Sequence, residues 1–374
     1  MSIITLAEVV GLSRQVISSY EHGESTPQPE SLYRLAGVLD LPVSFFSLPA
    51  REEDESPTFY RSLQGASKGS RLAADRRLAW VGDIATELAA YVSFPEIAFP
   101  LLVRRGSVPL DIPTVEQTAT TLRQEWKLGD GPIHNVVALI EGKGGLVARA
   151  EAESEAIDAF SKWLPTIGRP CIFLGIEKGS RARSRFDAAH EIGHMVMHRS
   201  ISRSQVSVPA ELSVLESEAH SFASAFLLPA ESFAEDLFFP TVDGMLALKP
   251  KWKVSVAAML KRSTGLGIID DNHARRMWMS LSRRGWRKGE PGDETIAPES
   301  PMAFPRAFEL VVQAGIKSAS EMVESMPLGE RDVVRYASLP TTFFQLDSPV
   351  RLIDRATPRE AVAGGQIVPF RRPN

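Results

Sequence analysis

The chain has 374 residues, 44% of them apolar, a formal net charge of -4 and a single cysteine, Cys171. That length suffices for two or three folded domains, one cysteine excludes an internal disulfide framework, and the acidic balance leaves any DNA contact to a local surface. No apolar stretch reaches spanning length, and the N-terminus lacks the basic flank and long apolar run of a secretory signal, so a cytoplasmic protein without membrane association is expected.

Residues 3 to 48 read as short helices joined by tight turns. A helix over Thr5 to Val10 is followed by Gly11-Leu12-Ser13 and then by a second helix over Arg14 to Tyr20, for which Ser13 is an N-cap. A third segment, Ser31 to Leu39, places Leu32, Leu35, Ala36 and Leu39 on one face. The charged run from Arg51 to Pro57 has linker composition, and a first boundary falls there.

Beyond it, apolar spacing predicts a long amphipathic helix from Leu72 to about Tyr91, a second from Thr114 to Trp126 and a short one from Asn135 to Glu141. Gly144 to Ala148 reads as a turn entering a strand, and Pro170 to Ile176 as a second strand in which Cys171 is a buried residue rather than a nucleophile. Arg283 to Pro301 is rich in Gly, Pro and charge, giving another boundary, with helices expected over Ala303 to Gln313 and Ser318 to Met326. The expected fold class is α+β, predominantly helical, with a small sheet.

The chemistry concentrates in His190-Glu191-Ile192-Gly193-His194. Histidines four residues apart share one face of a helix, so both imidazoles can reach one zinc ion, and Glu191 beside the first is placed to act as general base. A catalytic zinc ordinarily takes a third protein ligand. Met197 and Ser200 stand where the HExxHxxGxxH class carries glycine and histidine, which removes that class and leaves a glutamate on a downstream helix.

The run from Leu215 to Pro229 supplies one, with Ala219, Phe222, Ala223 and Phe226 as its buried stripe. Glu216 extends that stripe by one turn, whereas Glu218 lies roughly 200° around the helix, so Glu216 is the favoured ligand and Glu218 the reserve. His220, one turn after Glu216, is the candidate for a contact behind the metal ligands, and His198 is expected to face solvent.

These residues resemble the ImmA/IrrE family of zinc metallopeptidases. The resemblance rests on Arg185-Phe186, the HEIGH pentapeptide, Glu216-Ser217-Glu218-Ala219, Phe222-Ala223 and Leu227-Leu228-Pro229. Further marks are Gly131-Pro132-Ile133 with Asn135, Glu141 with Gly145 and Val147, and Trp252 to Val256, so that it covers about residues 110 to 290. His220 departs from the pattern, which commonly has asparagine or aspartate there.

Residues 6 to 36 likewise resemble the XRE-type helix-turn-helix, through Leu6-Ala7, Val10 to Ser13, Val16 to Ser18, Glu21 to Gly23, Pro27, Leu32 and Leu35-Ala36. The helix that ordinarily opens such a domain has no counterpart ahead of Ile3. By that resemblance Ser13 to Tyr20 is the recognition helix, with Ser13, Arg14, Gln15 and Ser18 nearest double-stranded DNA.

Taken together, the resemblances imply an all-α helix-turn-helix domain at 1–50, a linker at 51–70, a zincin-like peptidase domain at 71–290 and a helical C-terminal extension at 291–374. They imply zinc as cofactor and, as substrate, an XRE-type repressor cleaved to relieve repression. The alternative is a transcription regulator or antitoxin-like protein that binds a partner, such as a toxin, without cutting it. A homodimer is the default expectation for a module that reads two half-sites.

Overall fold

The computed structural model describes residues 2–49, 56–60, 68–102, 108–150, 159–176, 180–286, 289–345 and 368–369. In chain order the elements are α1 (Ile3–Val10), α2 (Arg14–Glu21), α3 (Pro29–Leu39), β1 (Thr58–Tyr60), α4 (Lys68–Ala89), β2 (Val92–Ser93), α5 (Ile112–Glu125) and α6 (Val136–Gly142). There follow β3 (Leu146–Ala150), β4 (Ala159–Leu164), β5 (Arg169–Gly175), α7 (Arg181–Met197), α8 (Arg203–Val206), α9 (Pro209–Leu227) and α10 (Ala230–Asp236). The last are α11 (Val242–Trp252), α12 (Val256–Gly265), α13 (Asp271–Arg283), α14 (Ala303–Gln313), α15 (Ala319–Ser325), α16 (Glu330–Tyr336) and β6 (Val368–Pro369). The fold is thus α+β and predominantly helical, as expected.

The chain divides into two units, one of Met1–Glu53, Asp83–Ser93 and Phe304–Asn374, the other of Asp54–Gly82 and Phe94–Ala303. In the first unit, Gly11 ends α1 in the left-handed region (φ 69°), a conformation glycine adopts without strain, and Leu12 N–H returns to Ala7 O at 2.9 Å. Ser13 then starts α2 by accepting from Val16 N–H at 3.2 Å. Ala7, Val10, Ile17 and Leu35 form the small core of these helices, with Leu6, Leu12, Tyr20 and Phe46 packed on it. The C-terminal residues read as a separate extension join this unit. A Cβ on Gly329 would lie 2.1 Å from Asp40 O, and Lys317 Nζ pairs with Glu87 at 3.0 Å.

The second unit holds a four-stranded sheet in the order β1-β4-β5-β3, with β3 parallel to β5 and the other two pairings antiparallel. Cys171 to Leu174 are all buried, the signature of a strand covered on both faces, and burial pushes the Cys171 thiol far above its ordinary range. β1 lies inside the stretch expected to be linker: Thr58 to Tyr60 pair with Lys162 to Phe160 as the edge strand. Three residues carry no periodicity that a sequence reading can use, and this strand exists only because β4 offers it a ladder.

Several residues that carried the resemblance prove to anchor this unit. The Glu141 carboxylate accepts from Met302 and Ala303 N–H at 3.0 Å, and Trp252 Nε1 donates to Asp236 at 2.8 Å. Residues 290 to 303 therefore belong with the peptidase-like unit, because Glu290 also receives Lys249 Nζ at 3.0 Å inside it.

Candidate active site

Ser180 opens α7 by accepting from Arg183 N–H at 3.4 Å, and the helix then runs between α6, β4, β5 and α9 with every residue from Arg185 to Met197 buried. Four-residue spacing brings His190 and His194 onto one face, their Nε2 atoms 3.0 Å apart. α9 crosses this face and delivers Glu216, whose carboxylate oxygens each lie 3.2 Å from one of those nitrogens. All three donor groups fall within 4.8 Å of one another. Two imidazoles and one carboxylate at this spacing are a donor set suited to a single zinc ion.

Burial opposes the charge on Glu216, while the two imidazoles 3.2 Å from its oxygens hold its carboxyl well below the usual range. The donor set therefore keeps its anionic member ionised, as metal ligation requires.

Glu191 is fully buried, and its Oε2 accepts a hydrogen bond from Ser161 Oγ on β4. Phe59 of β1 stacks on the His194 ring with centroids 4.5 Å apart and planes 12° from parallel. Gly193 permits the close approach of α9, since a Cβ there would meet the Phe222 ring at 3.0 Å and Ala219 Cα at 3.3 Å. Gly193→Val is accordingly expected to cost about 1–3 kcal/mol by overpacking and to weaken metal binding by moving Glu216 away from the histidines. Chemical denaturation and metal titration would show this, and an unchanged zinc affinity would contradict it.

Two sequence expectations need correction. His198, expected at the solvent, is fully buried, with Nδ1 2.8 Å from His194 Nδ1 and Nε2 2.8 Å from Glu218 Oε2. Glu218, expected to point away from the buried stripe, is only 5% exposed and also accepts from Leu110 N–H at 2.7 Å. Glu218 is buried because α9 packs on α5 as well as α7 and so has buried faces on two sides, and His198, at the end of α7, is covered by Glu218 and by Phe59 of β1. His220 is half-buried, its ring 4.8 Å from that of Phe186, and lines a cleft of about 330 Å³ with Arg183, Trp278 and Trp286.

In the first unit, Arg14 and Gln15 are exposed at the start of α2. Ser13 is occupied as its cap, and Ser18 is half-buried, its hydroxyl 3.4 Å from His22 Nδ1.

Residues 140–264 match the peptidase M78 family model, described as the IrrE N-terminal-like domain, and residues 1–46 match the helix-turn-helix model. No curated protein matches the chain. The two matches find the fusion that the residues resembled, a DNA-binding helix-turn-helix domain ahead of a metallopeptidase-like domain of the ImmA/IrrE type. The His190, His194 and Glu216 cluster falls inside the second match.

Proposed function

We propose, from the premise that an ImmA/IrrE-type peptidase domain follows an XRE-type helix-turn-helix, that this protein is a cytoplasmic regulatory zinc endopeptidase that cleaves an XRE-type repressor. The observation that carries this reading is the convergence of Glu216 from α9 on His190 and His194 of the buried helix α7, which also carries Glu191. His190, His194 and Glu216 would hold the ion. When bound, zinc supplies Lewis acidity toward the scissile carbonyl and lowers the pKa of the attacking water.

Glu191 does the proton work: its carboxylate takes a proton from the attacking water and returns it to the departing amine, with no covalent enzyme intermediate. Ser161 fixes the carboxylate by donating to Oε2. The helix-turn-helix brings this chemistry to DNA, where a repressor sits on its operator. The purified protein is expected to carry about one zinc per chain and to cut a repressor encoded beside it. Chelation should stop the cutting and added zinc restore it. Cutting that survives complete chelation would remove the metal mechanism. Binding without cutting by the zinc-loaded protein would leave the antitoxin-like or partner-binding alternative.

Arg14 and Gln15 are the exposed side chains of α2 best placed to reach DNA. Arg14→Ala is expected to weaken operator binding and, where the contact is to a phosphate, to flatten the salt dependence by about one charge. A mobility-shift series in increasing salt reads both, and identical curves for variant and wild type would exclude Arg14 from the interface.

A further inference from the structure

The polar chain behind His194 has a direction that the site itself does not supply. His194 Nδ1 faces His198 Nδ1 at 2.8 Å, His198 Nε2 faces Glu218 Oε2 at 2.8 Å, and Leu110 N–H donates to Glu218 Oε1 at 2.7 Å. Both imidazoles are fully buried and Glu218 nearly so.

Two ring nitrogens 2.8 Å apart need one donor and one acceptor. With Glu218 ionised, its carboxylate only accepts, and His198 donates from Nε2. With His198 neutral, its single ring proton is on Nε2, which makes its Nδ1 the acceptor and His194 Nδ1 the donor. The lone pair of His194 is then on Nε2, the atom 3.2 Å from Glu216 and 3.0 Å from His190 Nε2. Phe59, stacked on the same ring, restricts its plane but cannot choose its tautomer.

We propose that His198 and Glu218 are positioning residues that hold His194 in the tautomer whose Nε2 is open to a metal ion. The proposal rests on the reading of His190, His194 and Glu216 as metal ligands. Its physical basis is that a ligating histidine is oriented, and made more basic, by the acceptor on its other ring nitrogen. Here that acceptor is a second histidine, and the carboxylate that sets the polarity is one residue further back. Glu218 is in turn held by the backbone at Leu110, immediately ahead of Asp111, the N-cap of α5.

Glu218→Gln tests this, because it keeps the shape of the side chain while giving it an amide able to donate, so the chain can run in reverse. Zinc affinity of the full chain is measured by competition with a chromogenic chelator. The ring tautomer of His194 is read from histidine ¹⁵N spectra of the metal-free protein, assigned by comparison with His194→Asn. The expected result is a loss of zinc affinity of about 10–100-fold in Glu218→Gln and in His198→Phe, whose ring offers His194 Nδ1 no acceptor. In Glu218→Gln the Nδ1-protonated signature of His194 should also be lost, while the unfolding midpoint of the metal-free protein is unchanged.

Zinc affinity equal to wild type in Glu218→Gln, or a His194 tautomer that does not change, overturns the proposal. Should Glu218→Gln fold poorly, His198→Phe carries the affinity measurement, and wild-type affinity there overturns it equally. Failure of the wild-type chain to bind zinc would instead remove the metal reading, while the tautomer spectra would still decide the direction of the chain.

Discussion

Glu191→Gln is expected to abolish proteolysis and leave the metal in place. The amide has nearly the volume of the carboxylate, and its oxygen can still accept from Ser161 Oγ, so the buried surroundings on β4 are preserved. What disappears is the lone pair basic enough to take a proton from water. Loss of a general base costs typically 10²–10⁴-fold in rate, or about 3–5 kcal/mol in the barrier. Zinc content by elemental analysis and the initial rate of repressor cleavage, measured on the same preparation, separate the two effects. A variant with full zinc that cuts at the wild-type rate would remove Glu191 from the mechanism, and one that loses its zinc would show that Glu191 supports the donor cluster instead.

The largest structural effect is expected at Arg185. Its guanidinium is buried on α7, just over one turn before His190, where it pairs with Glu299 and donates to Ile133 O and, at 3.3 Å, to His134 O. Glu299 completes the arrangement by accepting from Val136 N–H at 2.8 Å and Val137 N–H at 3.3 Å, at the start of α6. Removing the buried guanidinium leaves a partly buried carboxylate and backbone carbonyls without their donor, a loss of about 3 kcal/mol. Arg185→Ala should therefore unfold the peptidase-like unit at markedly lower urea concentration. All six tryptophans, Trp80, Trp126, Trp163, Trp252, Trp278 and Trp286, lie within that unit, so fluorescence reports on it selectively. A midpoint within error of wild type would mean that the pair contributes nothing. Glu299→Gln should cost less, because the amide oxygen still accepts from α6.

How much of this was legible in the sequence follows from how local each signal is. The HEIGH spacing needs only the helical period, and Glu216 is the downstream carboxylate that continues a buried stripe; the structure brings it to 3.2 Å of both histidines. Ser13 as a cap, Asn135 ahead of α6 and the strand through Cys171 are likewise determined within a few residues. β4 went unread because Ser161 and Lys162 interrupt its apolar run, although both are buried in the sheet.

His198 and Glu218 failed for a different reason. Periodicity divides a helix into an inward and an outward face, and that division loses meaning where neighbours surround it, as α6, β4, β5 and α9 surround α7 and as α5 and α7 flank α9. Whether a polar residue on such a helix is solvated or bonded depends on what the rest of the chain places opposite it.

By itself the sequence determined the two modules, the helix that carries His190, Glu191 and His194, and the preference for Glu216, because each rests on residue types at fixed spacing along one element. Only the tertiary structure decided that Ser161 holds Glu191, that Phe59 covers His194 and that the chain from His194 ends at Glu218 and Leu110. Those contacts join residues 20 to 135 positions apart, and no local period records which distant strand or turn will meet a given face.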